Sequence, residues 1–154
     1  MEQLFEKQDA LLNATNMEIV RNFINHVNWE APMLCIRGPR GVGKSTLLRQ
    51  YIRPQYGVGS EAALSCSLDF SYFTQHTILE VAEKFYKHGG KLLVLDEAHK
   101  YENWSREVKE VADTYPNLQI ILSGSSLLKL IDGDADLSRR CRGYYMPGLS
   151  LREY

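Results

Sequence analysis

Met33-Leu34-Cys35-Ile36-Arg37-Gly38-Pro39-Arg40-Gly41-Val42-Gly43-Lys44-Ser45-Thr46-Leu47-Leu48 is the stretch that decides the fold. Gly38 to Ser45 fits Gly-x-x-x-x-Gly-Lys-Ser. It follows a strand-length apolar run and precedes Ser45 to Arg53, which holds no helix breaker before Pro54. Glycines let such a loop curl so that successive amides, here Gly41 to Thr46, point inward at phosphate oxygens, and the helix N-terminus adds its dipole. The expected phosphate cradle is therefore Gly38, Pro39, Arg40, Gly41, Val42, Gly43, Lys44, Ser45 and Thr46. Lys44 is expected to reach the β- and γ-phosphates of a nucleotide, and the Ser45 hydroxyl to hold Mg²⁺.

Further along, Leu92-Leu93-Val94-Leu95-Asp96-Glu97 is a second apolar run, ending in two acids. In an open α/β sheet, ligands bind at the carboxyl ends of the strands, so this run can bring its acids beside the glycine loop. Asp96 is expected to be the Mg²⁺ partner through water, and Glu97 the base that orients an attacking water. Asp96-Glu97-Ala98-His99 also spells a helicase box, but no second nucleotide-binding lobe accompanies it; His99 reads as a cap of the next turn, with a place lining the site as the alternative. Ser123-Gly124-Ser125-Ser126 closes another apolar run. A serine there would lie between the two loops and report the γ-phosphate, with Ser125 the first choice and Ser123 the second; a helix cap is the competing reading.

The rest of the chain alternates strand and helix. Asn16 to Val27 has Met17, Val20, Ile24 and Val27 at helical spacing. Ala62 to Leu68 reads as a strand, Thr77 to Lys87 as a helix closed by Gly89-Gly90, Trp104 to Tyr115 as a helix broken by Pro116, and Leu118 to Leu122 as a strand. Pro54 is expected to end the helix after the glycine loop. Apolar runs without alternation belong to strands covered on both faces, so the pattern predicts a parallel sheet between helical layers, a three-layer α/β/α P-loop NTPase core.

Composition agrees with one globular domain: 154 residues, 44% hydrophobic and 24% charged. Eighteen basic against nineteen acidic residues leave a net charge of −1, which gives no global pull toward nucleic acid or anionic membrane. Cys35, Cys66 and Cys141 lack metal-ligand spacing and are expected as reduced thiols. No basic-then-apolar leader and no membrane-length run occur, which places the chain in the cytoplasm as an expectation. Arg139-Arg140-Cys141-Arg142 reads as a solvated face, a nucleic-acid patch or a finger reaching a neighbour's phosphate.

With these motifs the sequence resembles the prokaryotic AAA-type ATPases whose ATPase core precedes a restriction-nuclease-like or winged-helix C-terminal region. Gly38 to Thr46 matches their Walker A loop and Leu92 to Glu97 their Walker B strand. His99-Lys100-Tyr101 with Asn103-Trp104, Ser123 to Ser126, Asp136-Leu137-Ser138-Arg139-Arg140 and the terminal Leu149-Ser150-Leu151-Arg152-Glu153-Tyr154 match further signatures. The resemblance implies a fifth strand at Gly143 to Met146 and a parallel sheet of order 5-1-4-3-2. It also implies a single core over residues 1–154 that stops before a helical lid and a C-terminal domain. A homo-oligomer would then supply Arg140, or next Arg139, in trans, and a DNA or protein partner would be reached through the C-terminal region.

The function expected is ATP binding and Mg²⁺-dependent hydrolysis coupled to conformational change in a larger protein. Two alternatives stand beside it: an ATP-dependent binding module or switch with little turnover, and a P-loop kinase. A kinase has no use for a water-activating Glu97, and no Asn-Lys-x-Asp segment occurs to read guanine. The adenine pocket is expected near Met17 to Arg21.

Overall fold

The structure, a computed structural model, describes residues 1–18, 20, 22–39, 43–125 and 135–147. Five strands form one parallel sheet: β1 (Met33–Arg37), β2 (Ala63–Ser67), β3 (Leu92–Asp96), β4 (Gln119–Gly124) and β5 (Arg142–Tyr145), in the order β2-β3-β4-β1-β5. This is the expected order 5-1-4-3-2 read from the other edge. Among the described residues the α-helices are α1 (Glu2–Ala14), α2 (Lys44–Tyr56), α3 (Ile78–Lys87), α4 (Trp104–Thr114) and α5 (Ala135–Arg140).

Strand alternation divides the core into two layers. Leu34, Ile36, Leu92, Val94 and Ile121 point to the face where Leu47, Leu48 and Ile52 of α2 cover them. Met33, Cys35, Leu93, Leu95, Ile120 and Leu122 point to the other, under Val81 and Phe85 of α3 and Val108 and Val111 of α4. β3 is buried at all five positions, the mark of a central parallel strand covered on both sides. Thr77 caps the start of α3 by accepting the Glu80 amide at 3.1 Å, so the helix begins where its chemistry says it should. Among the described residues no helix is long and apolar enough to cross a membrane.

Two expectations about local structure are corrected, and one helix appears that was not expected. Asn16 to Val27 is not a helix, because the Asn16 side chain accepts the Glu18 amide at 2.8 Å and turns the chain there. Gln50 and Arg53 of α2 then donate to the carbonyls of Asn16 and Thr15, and the described residues of this stretch form a 3₁₀ turn over Asn22–His26. Pro54 does not stop α2, which runs on to Tyr56 before Gly57 donates back to the Arg53 carbonyl. Finally, the chain opens with a thirteen-residue helix, α1, that the pattern of apolar residues had not announced.

α1 lies along β2, the strand at the sheet's edge. Its buried stripe is Leu4, Gln8 and Leu12, one helical turn apart. The amide of Gln8, 3% exposed, donates to the Ala63 carbonyl at 2.9 Å and accepts from the Ser65 amide at 2.5 Å. One side chain thus meets the edge strand's free donor and acceptor as a neighbouring strand would, and an open sheet edge is closed without another strand.

Candidate functional site

β1 delivers the chain to Gly38 and Pro39 at the carboxyl end of the sheet, and α2 begins at Lys44. Arg40, Gly41 and Val42 lie outside the described residues. Gly43 precedes the helix at φ +91°, a left-handed conformation that a side-chain-bearing residue adopts only with strain. The first intrahelical bond runs from the Leu47 amide to the Gly43 carbonyl at 2.9 Å, so the amides of the first turn, Thr46 among them, precede the helical ladder as an anion site requires. Thr46 itself is exposed.

Lys44 is 5% exposed, and its ammonium donates to the carbonyls of Gly38 and Pro39, each at 2.8 Å. A buried cation must be paired or hydrogen-bonded, and here the loop itself supplies the oxygens.

Asp96 shares a face of β3 with Leu92 and Val94, and on β4 Ser123 shares the matching face with Ile121, so both side chains point toward α2. The Asp96 carboxylate is 8% exposed. One of its oxygens accepts from the Ser45 hydroxyl; the other accepts from the Ser123 hydroxyl and, at 3.0 Å, from the Glu97 amide. Walker A, Walker B and the end of β4 therefore meet on one carboxylate. Ser123, fully buried, is the serine brought into the site, while Ser125 follows the strand's end and is half-buried. Residue 123, the second choice of sensor, lies on the Asp96 face inside the sheet, and residue 125, of the same parity, lies past the strand's end. The helix-cap reading of Ser126 falls outside the described residues.

Glu97 adopts φ +53°, ψ +41°, and is the one described non-glycine residue at positive φ. Such strain in a long side chain clusters at functional positions. One carboxylate oxygen lies 3.4 Å from Nε2 of His99, whose side chain is 11% exposed. This nearness agrees with a place lining the site, the lesser of the two readings of His99.

Arg140 sits at the opposite end of the sheet. β5 begins two residues later beside Leu34, and Arg140 lines a cleft with Pro32, Met33 and Ile120. Its guanidinium is held by Asp113 at 2.7 Å and Asp136 at 3.0 Å, and these hydrogen bonds raise its pKa still further. It cannot serve its own chain's loop, and a role in trans would require breaking two ion pairs; Arg139 on the same helix is exposed. In the expected adenine region, Met17 is half-buried, Val20 is 40% exposed, and Ile19 and Arg21 lie outside the described residues. Met146, fully buried after β5, comes within 3.9 Å of the position a Cβ at Gly43 would take. A narrow cavity of about 50 Å³ between α1, α2 and β2 touches Ser45 and Asp96, with room for a few waters but not for a base.

The fold is shared with solved structures. PCH-2 of C. elegans superposes with a TM-score of 0.53 at 14% identity over 96% of this chain and 42% of its own. A katanin structure gives 0.53 at 18% identity over 92% and 50%, and the S. cerevisiae Hsp104–ADP complex 0.54 at 15% over 99% and 22%. This chain thus spans half or less of each of these proteins. No curated protein matches the sequence. The family model described as an AAA domain matches residues 30–154, which takes in the glycine loop, the Asp96 strand and all five strands of the sheet. Membership supports nucleotide binding and an ATPase-type function in general terms, and by this match the chain belongs to the AAA domain family.

Proposed function

We propose that this chain is the core of an ATPase that binds ATP with Mg²⁺ and hydrolyses it, coupled to movement in a larger protein. The observation that carries the reading is the convergence of Ser45 and Ser123 on the Asp96 carboxylate, beside a buried Lys44. That arrangement gathers hard oxygen donors at the mouth of a glycine loop, and the Ser45 hydroxyl and Asp96 suit Mg²⁺, Asp96 through a water. Bound there, the cation would supply charge neutralisation at the β- and γ-phosphates.

The chain's own groups do the rest. Lys44 exchanges the carbonyls of Gly38 and Pro39 for phosphate oxygens, so nucleotide entry replaces two hydrogen bonds instead of charging an empty pocket. Amides from Gly41 to Thr46 cradle the phosphates. Glu97, held in its left-handed conformation at the strand's end, orients water for in-line attack and takes up its proton. Ser123, on the opposite oxygen of Asp96, reports loss of the γ-phosphate to β4. An arginine supplied in trans, with Arg139 the more accessible and Arg140 the alternative, would complete the charge balance in an oligomer. A lid and a C-terminal region with a DNA or protein partner belong to the longer protein.

A second reading, a nucleotide switch with slow turnover, is favoured by one observation: Lys44 is already satisfied by its own loop, giving the nucleotide-free site a defined conformation of its own. One experiment separates them. Titration with a fluorescent ATP analogue and with GTP, with and without Mg²⁺, followed by phosphate release on the same sample, should give Mg²⁺-dependent, adenine-selective binding and measurable release. Binding without release supports the switch, and absence of nucleotide binding overturns both.

A further inference from the structure

We infer that His99 is a positioning residue for the Glu97 carboxylate, holding the orientation in which Glu97 faces an attacking water. The inference rests on the reading of Glu97 as the water-orienting base. Its basis is local geometry. Glu97 leaves β3 in a left-handed conformation, and the chain then folds at once into a 3₁₀ turn over Ala98–Lys100, in which the Lys100 amide donates to the Glu97 carbonyl at 3.0 Å. This brings residue 99 back over residue 97. The turn is anchored on both sides: Ala98 is fully buried, and Trp104, 4% exposed, donates its amide to the Tyr101 carbonyl at 3.1 Å.

Oε2 of Glu97 is buried and has no hydrogen-bond partner among the described protein atoms, and Nε2 of His99 lies 3.4 Å from it. With the proton on Nε2, the imidazole carries a donor 3.4 Å from that oxygen. The separation is longer than a settled hydrogen bond, and catalytic contacts commonly tighten only when substrate is bound. Nδ1 of His99 is also buried without a protein partner. A turn cap would have spent its ring nitrogen on a backbone group; this ring instead presents one nitrogen to the base and keeps the other in reserve. Fixing one carboxylate oxygen leaves the chain a single way to present the other, which is how a second side chain sharpens a base it does not replace.

The test uses His99→Phe, which keeps a buried ring and removes the donor, and His99→Gln, which restores an N–H. His99→Phe should lower kcat by about 10- to 100-fold with KM and ATP-analogue affinity changed by less than about 2-fold. His99→Gln should recover most of that loss. On nucleotide-free protein, the ¹⁵N signal of His99 Nε2 should move in Glu97→Gln, which reads the contact independently of turnover. Unchanged kcat in His99→Phe, or a His99 signal indifferent to Glu97→Gln, overturns the inference. Lys44→Ala is measured in parallel: undiminished ATP-analogue binding in that variant overturns the site reading itself, whereas lost binding there with inert His99 variants overturns the inference alone.

Discussion

Ser45, on the first turn of α2, donates its hydroxyl proton to Asp96, at the end of β3, and so links two elements that are far apart in sequence. The pair sits where a hard cation and the phosphates would be held. Asp96→Asn should therefore remove the Mg²⁺-dependent increment in ATP affinity and leave Mg²⁺-free binding nearly unchanged. Calorimetric titration with and without the cation measures both, and an undiminished Mg²⁺ effect would remove Asp96 from the metal site.

Lys44 is the one buried ammonium at the loop. Lys44→Ala should abolish detectable ATP binding, because it takes away the positive charge opposite the β- and γ-phosphates. The Gly38 and Pro39 carbonyls lose a donor at the same time, so the variant is checked by circular dichroism to be folded before its affinity is read.

Glu97, the proposed base, also carries backbone strain. A left-handed conformation costs a long side chain about 1–2 kcal/mol, part of which glycine's greater freedom in the unfolded chain returns. Glu97→Gly should thus raise stability by about 0.5–1 kcal/mol while phosphate release falls by about 10²–10⁴-fold. Urea denaturation and a phosphate assay on one preparation compare the two; a variant both less stable and fully active would contradict the assignment. Glu97→Gln, by contrast, should retain bound ATP.

Gln8 closes the β2 edge with two hydrogen bonds. Gln8→Leu keeps the bulk and leaves the Ala63 carbonyl and the Ser65 amide without that partner, at a cost of about 1–3 kcal/mol. Urea midpoints give the loss, and light scattering should show concentration-dependent association through the opened edge.

Burial in the sheet, together with the charge of Asp96, pushes the Cys66 thiol from 9.0 to about 12. Below the unfolded value the thiol is neutral in both states and its contribution to stability is complete. As pH rises from 9.0 toward about 12 the unfolded chain releases the proton and the folded one does not, so stability falls across that window. Comparing wild-type with Cys66→Ala at several pH values isolates this slope from that of the tyrosines; equal slopes would show that Cys66 does not carry it.

The strands and the two acids were legible because their signal is local. Leu92 to Leu95 is apolar at every position, and a buried parallel strand leaves that trace whatever surrounds it. Lys44, Ser45 and Asp96 were legible because the loop's glycines and the strand-then-helix context constrain one another. What escaped depended on partners distant in sequence. Gln8 interrupts the apolar stripe of α1, and its reason lies on β2, fifty-five and fifty-seven positions away. Asn16 looked helical until Gln50 took its carbonyl. Arg140 looked available until Asp113 was seen to hold it. Ser123 and Ser125 share the parity of Ile121, so alternation left both open, and the end of β4 at Gly124 is what separates them.

Residues 2–14 fall outside the stretch that matches the family, which opens at residue 30. Cut at that boundary, the sheet would lose the helix that seals it, along with Leu4 and Leu12, each 1% exposed. The smallest piece able to stand alone is therefore larger than the piece that ancestry marks out, and an expression boundary placed by kinship would yield a sticky protein whose failure said nothing about its nucleotide site.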